Sequence, residues 1–137
     1  MALQYSDGLR NAQLDAIETY GGTSCALEIR SGAPPATCAT AGSGTVLATI
    51  NLPSDWMNAA SSASKTKNGT WTDASADATG TAAHFRVYNS QATKDNTTCF
   101  MQGTVGTSAA DMIVDSTSFT AGQSFTISTF TIAAGNA

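Results

Sequence analysis

Any chemistry in this chain has to start from very few residues. There is one histidine, His84, and there are three cysteines, Cys25, Cys38 and Cys99. A histidine acting as general base needs a serine or cysteine within hydrogen-bond reach and a third group that orients the ring. Such groups assemble in space, so spacing alone does not exclude them. No G-x-S-x-G elbow is present, however. His84 stands between Ala83 and Phe85 in the alternating run TAAHFRVYN (residues 81–89), where a surface or cross-strand role is expected. No catalytic residue is assigned. The cysteines are odd in number and none forms a C-x-x-C pair, so neither a disulfide scaffold nor a zinc site is expected. Cys25 and Cys99 read as small buried apolar residues, with a single bridge left open.

The carboxylates and glycines are equally sparse in signal. Asp73 and Asp77 bracket DASAD, which meets no calcium-loop pattern. Asp111 and Asp115 fall at strand ends, where single carboxylates are usually solvated. Gly42-Ser43-Gly44-Thr45 lacks a P-loop lysine and a following helix, so it does not cradle phosphate. Asn68-Gly69-Thr70 and Asn96-Thr97-Thr98 fit the glycosylation pattern and read as chance matches, because MALQYSDGLRNAQ at the start has no secretory character. No metal and no cofactor is expected.

The bulk composition points the same way. A chain of 137 residues fits one domain, 1–137, large enough to bury a core without staples. Only 12% of residues are charged, about half the usual share. Thr, Ser, Asn and Gly make up the polar balance, as suits strand faces and turns. The net charge is −4, and of the six Lys and Arg only Lys65 and Lys67 lie close in sequence. Nothing here is a footprint for nucleic acid or a patch for a membrane surface. No apolar run approaches membrane-spanning length. The expectation is a protein made in a cytosol that leaves a cell by lysis or within a particle.

The elements that hold these residues are mostly short strands. Residues 6–20 form the one expected helix, capped by Ser6 or Asp7 and stopped by Gly21-Gly22, with Leu9, Ala12, Ala16, Ile17 and Tyr20 on one face. That stripe packs on its own domain or on a partner. SCALEIR (24–30) alternates with Cys25, Leu27 and Ile29 on a dry face. TVLATINL (45–52) aligns Val46, Ala48, Ile50 and Leu52, while Leu47 opposite suggests cover on both sides. Residues 55–69 have no clear period; Trp56 and Met57 at their start either plug the core or touch a neighbour. Residues 70–73 give a short strand through Trp71.

Residues 81–89 place Ala83, Phe85 and Val87 on one side and His84, Arg86 and Tyr88 on the other. The second face is expected at solvent or against a neighbouring subunit. TTCFMQGTV (97–105) is the expected antiparallel partner, with Gly103 marking a bulge. A strand follows over 111–117. The last run, SFTISTFTI (124–132), changes phase between Phe125, Ile127 and Phe130, Ile132, as a bulge or a sheet-crossing strand would. The fold class is therefore mainly β, an antiparallel β-sandwich or jelly roll of seven to eight strands after one helix.

Several segments together, YSDGLRNAQLDAIETYGG, LEIRSGAPPATC, TVLATINLPSDW, NGTWTDASADATGTAAHFRVYNS and FTISTFTI, resemble small proteins encoded beside the major capsid protein of tailed bacteriophages. The chain is similar over nearly its whole length to the jelly-roll capsid cement, or decoration, proteins of short-tailed phages. The resemblance implies a domain on the outside of an icosahedral shell, bound to the major capsid protein and to itself as a dimer or other small oligomer. It carries no catalytic residues. The candidate partner surface is Leu9, Trp56, Met57, Arg86, Tyr88 and Phe100. The competing reading is a tail- or fibre-associated sandwich that binds host carbohydrate, with Trp56, Trp71 or Tyr88 exposed along a groove.

Overall fold

The computed structural model describes residues 1–136; residue 137, the last of the expected domain span, lies outside them. One helix, α1 (Asp7–Gly21), precedes eleven short strands. These are β1 (Ala26–Arg30), β2 (Val46–Asn51), β3 (Ser64–Thr66), β4 (Trp71–Asp73), β5 (Gly80–Thr81), β6 (His84–Tyr88), β7 (Cys99–Gly106), β8 (Met112–Ile113), β9 (Ser118–Phe119), β10 (Phe125–Ile127) and β11 (Thr131–Ala133). The fold is mainly β, as expected, but with more and shorter strands than the seven to eight read from sequence.

Five strands form one sheet in the order β2-β1-β6-β7-β8. The first three pairings are antiparallel, and Thr81–Asn89 with its expected partner 97–105 is among them. The fourth is parallel, because β8 returns alongside the end of β7, Val105 opposite Met112. The wholly antiparallel expectation is corrected at that edge. Three two-stranded ribbons, β10–β4, β11–β3 and β5–β9, complete the structure. The phase change in SFTISTFTI is a true change of partner: β10 pairs with β4, and after residues 128–130 the chain pairs as β11 with β3.

The core runs from β1, β2 and β6 to the ribbons. Phe85 of β6 meets Phe130 edge-on at 5.6 Å between centroids, and Phe130 meets Trp71 at the same distance. Leu27, Ile29, Ile50, Val87, Trp56, Phe119 and Ile127 complete it. Leu47 is buried as well, so β2 is covered on both faces. Gly103 is not a bulge. A Cβ there would lie 2.8 Å from Asp111 Oδ2 and 2.9 Å from Phe85 Cε1, so its lack of a side chain admits two neighbours. The irregularity falls at Phe100, which is skipped as pairing passes from Val87–Met101 to Tyr88–Cys99.

The helix begins as expected, with Leu9 N–H donating to Ser6 Oγ at 3.2 Å, and ends with Gly22 N–H donating to Glu18 O at 2.9 Å. Its buried residues are Leu14 and Gly21. The expected stripe does not dock: Leu9 is 47% and Tyr20 70% exposed, Ala12 and Ala16 are exposed, and only Ile17 packs against the core. The docked face is largely polar. Asn11 Oδ1 accepts from Ala63 N–H at 2.8 Å, Asp15 Oδ1 from Ala60 N–H at 2.9 Å, and Glu18 Oε1 from Met57 N–H at 3.3 Å. Backbone donors of the irregular segment 57–63 thus fasten the helix, and its apolar stripe is left outside.

Candidate functional site

Two places collect the residues singled out above, and they differ in kind. The first is the face of β6 that carries His84, Arg86 and Tyr88. All five residues of β6 are buried. The connection 31–45 lies over this face and hydrogen-bonds to it, so the expectation of a face open to solvent or a neighbour is corrected. Arg86 Nη2 donates to Cys38 O at 2.6 Å and to Thr40 O at 2.9 Å, and its Nε donates to Cys99 Sγ at 3.2 Å. Gln102, opposite Arg86 on β7, donates to Pro35 O at 2.6 Å. A connection of small residues has no apolar mass to drive it down; charge-assisted hydrogen bonds from the sheet hold it instead.

The same layer explains the other polar groups. Tyr88 Oη donates to Glu28 Oε2 at 2.8 Å, and Arg30 reaches the same oxygen with Nε at 2.9 Å and Nη2 at 2.8 Å. Burial first, and then the bond to the Glu28 carboxylate, push the Tyr88 phenol well above its ordinary range. His84 Nδ1 lies 2.7 Å from Gly32 O, which fixes the tautomer with the proton on Nδ1. Burial, against the pull of Gly32 O and with help from Arg30 and Arg86, lowers the His84 pKa, so the ring is neutral at physiological pH. Its Nε2 is buried and has no partner among the described residues. The ring is a tie between strand and connection.

The carboxylates have similar structural duties. Asp111 Oδ2 accepts from Thr104 N–H at 2.8 Å and Thr104 Oγ1 at 2.9 Å, so it is not merely solvated. Asp73 accepts from Thr49 and Ser75 N–H, and Asp77 from Thr49 Oγ1. No group of three or more His, Cys, Asp or Glu among the described residues is placed to hold a metal ion. No helix among them is long and apolar enough to cross a membrane.

The second place is a groove of about 600 Å³ beside the outer face of α1. Ala16, Ile17 and Tyr20 of the helix form one wall; Phe100 and Met101 of β7 and Ala39 of the connection form the other. The skipped pairing at Phe100 turns its ring toward the helix. It meets Tyr20 at 5.8 Å and Trp56 at 6.1 Å between centroids. Of the six candidate interface residues, Leu9 is exposed and Phe100 half-buried on this side of the molecule. Trp56, Met57, Arg86 and Tyr88 are inside the fold and present no surface to a partner. Tyr20 and Met101 are the surface residues that the candidate set omits. The helical stripe contains Tyr20, so its signal was in the apolar spacing of α1.

No protein-family model, curated protein or solved structure matches the chain.

Proposed function

We propose that the chain is a capsid cement protein of a short-tailed bacteriophage. In this reading it is made in the host cytoplasm and docks on the outer surface of the icosahedral head. It contacts the major capsid protein and further copies of itself, as a dimer or other small oligomer, and stabilises the shell against internal pressure. The observation that carries the reading is the outer face of α1. An apolar stripe with Leu9 47% and Tyr20 70% exposed borders a groove floored by Phe100, on a chain whose buried ionisable side chains are tied into its own fold. Exposed apolar surface of this kind marks an interaction site. The sequence resemblance names the partner.

The finer fold reading belongs to the same proposal: a jelly roll, with the five-stranded sheet as one layer and the ribbons as the other. Phe130 supports it by linking Phe85 of the sheet to Trp71 of a ribbon across the core. The carbohydrate-binding alternative requires Trp56, Trp71 or Tyr88 along a surface groove. All three are buried, which favours the cement reading.

Docking of this type needs no strong single contact. A protein that binds only the assembled shell stabilises it by mass action, and paired docking raises effective affinity without new contacts. The deciding measurement is co-sedimentation with intact expanded capsids. Near-stoichiometric binding, with a higher burst temperature than bare capsids, is expected. Capsids that neither retain the protein nor change in burst temperature would overturn the proposal.

A further inference from the structure

We propose that Cys38 and Cys99 are a redox pair whose disulfide latches the connection 31–45 onto β7. Both cysteines are free, both line the groove beside α1, and both are held by the one guanidinium of Arg86. Arg86 Nε–H donates to Cys99 Sγ at 3.2 Å, while Nη2 donates to the carbonyl of Cys38 itself at 2.6 Å. Arg86 is wholly buried, so this arrangement is part of the packed interior and not a passing surface contact. One guanidinium thus bridges the backbone of Cys38 and the sulfur of Cys99, and the Cys99 thiol is otherwise directed at its neighbour Met101 O at 3.7 Å. Asn96 Nδ2, just before β7, donates to Ala39 O at 3.2 Å, so a side chain three residues from Cys99 holds the backbone next to Cys38.

The third thiol shows the selectivity. Cys25 is fully buried beneath α1, its Sγ–H directed at Gly22 O at 3.7 Å, and burial pushes its pKa up to about 11. It lies outside the groove. Cys38 and Cys99 are both half-buried and reachable from solvent.

The oxidant is a small-molecule disulfide such as oxidised glutathione. The Cys99 thiolate attacks one sulfur of that reagent and expels one thiolate, leaving a mixed disulfide on Cys99. Cys38, after losing its proton to water, attacks the Cys99 sulfur and expels the second thiolate. Two protein thiols become one disulfide, and the reagent disulfide is reduced to two thiols. In a reducing cytosol the pair stays open. Outside the cell the bridge closes a long loop, and it fastens a connection that hydrogen bonds alone hold to the sheet. The chemistry needs only the two thiols and the oxidant, whatever surface the chain docks on.

The test is to expose the folded full-length chain to oxidised glutathione and map its peptides without reduction. A linked pair of peptides carrying Cys38 and Cys99 is expected, with Cys25 alone still reactive after unfolding. The oxidised protein should melt higher by about 5 °C or more, since a bridge across a loop this long constrains the unfolded chain strongly. Cys38→Ser should retain a glutathione adduct on Cys99 and show no such rise. A persistent adduct on the unaltered chain, a bridge to Cys25, or three thiols still free after oxidation would each overturn the proposal.

Discussion

Lys65 Nζ lies 2.7 Å from Asp15 Oδ1 and 2.8 Å from Glu18 Oε2, and this pairing joins α1 to the β3–β11 ribbon. The lysine side chain is 1% exposed, whereas Asp15 is 48% exposed. Burial alone would lower the lysine pKa; the bonds from Asp15 and Glu18 outweigh it and raise the value. The ammonium also donates to Asn58 O at 2.8 Å, so all three of its hydrogens are engaged. Lys65→Met keeps the stem and removes these bonds. The two carboxylates can still turn to water, so the loss falls below that of a fully buried pair. A destabilisation of about 2 kcal/mol in urea unfolding is expected, together with earlier hydrogen exchange in α1. Unchanged exchange in the helix would show that the pairing does not hold it.

The burial of His84 gives stability a pH dependence with a definite sign. The folded state lowers the ring's pKa below its ordinary 6.5. Below pH 6.5 the unfolded chain therefore takes up a proton that the folded chain refuses. Stability is fully present above that value and falls as pH drops toward about 5, by at most roughly 1.4 kcal/mol per pH unit for one proton. His84 is the only histidine, so the slope just below pH 6.5, above the range of the carboxylates, reports on it. His84→Asn, whose amide can still donate to Gly32 O, should flatten the slope between pH 5 and 6.5 when unfolding midpoints are compared. A slope that persists in this variant would assign the effect elsewhere.

What was legible in the sequence was local, and what was missed depended on which surfaces meet. The period-2 runs located β1, β2, β6 and β7, because alternation is imposed by the strand itself. The broken phase of SFTISTFTI located the passage from β10 to β11 for the same reason. The face of β6 was misjudged because His84, Arg86 and Tyr88 look polar, and alternation cannot say that a small-residue connection folds over them. Arg86 draws that connection down through the carbonyls of Cys38 and Thr40, which leave no side-chain signature. For the helix, the sequence left its apolar stripe open to its own domain or to a partner, and the domain takes only Ile17 of it. Leu9, Ala12, Ala16 and Tyr20 form the more apolar face, but the unpaired amides of Met57, Ala60 and Ala63 need acceptors, and Glu18, Asp15 and Asn11 supply them. Satisfying buried backbone donors outweighed burying a modest stripe.

Gly21 sits where the end of α1 meets the aromatic cluster. A Cβ there would lie 2.9 Å from Cys25 Sγ, Phe100 Cζ and Trp56 Cζ2. Alanine normally gains about 1 kcal/mol over glycine within a helix. Here three packed side chains would have to shift at once, which costs about 1–3 kcal/mol. The clash should win, so Gly21→Ala is expected to lower the unfolding midpoint. It should also change the near-ultraviolet signal of Trp56, whose indole Nε1–H donates to Gly22 O at 3.1 Å. A stabilised variant would mean that the helix end is free to move away from Phe100.

Tyr20→Arg tests the proposed docking face without touching the core. Tyr20 is 70% exposed, and its one ring contact is the tilted approach to Phe100. A charge placed there can stay in water in the free protein, so stability should change by no more than about 0.5 kcal/mol. In a docked state the same charge would be trapped in an apolar groove beside Phe100, and aromatic residues in such positions dominate interface energy. Capsid binding is therefore expected to weaken by about tenfold or more, with Leu9→Arg acting in the same direction. Ile113→Arg provides the contrast. That side chain is also exposed and apolar, but it stands on β8 beside Gly106, at the opposite end of β7 from Phe100. Loss of binding with Tyr20→Arg but not with Ile113→Arg would place the capsid contact on α1. The reverse result would move it to the β8 edge, the outer strand of the sheet.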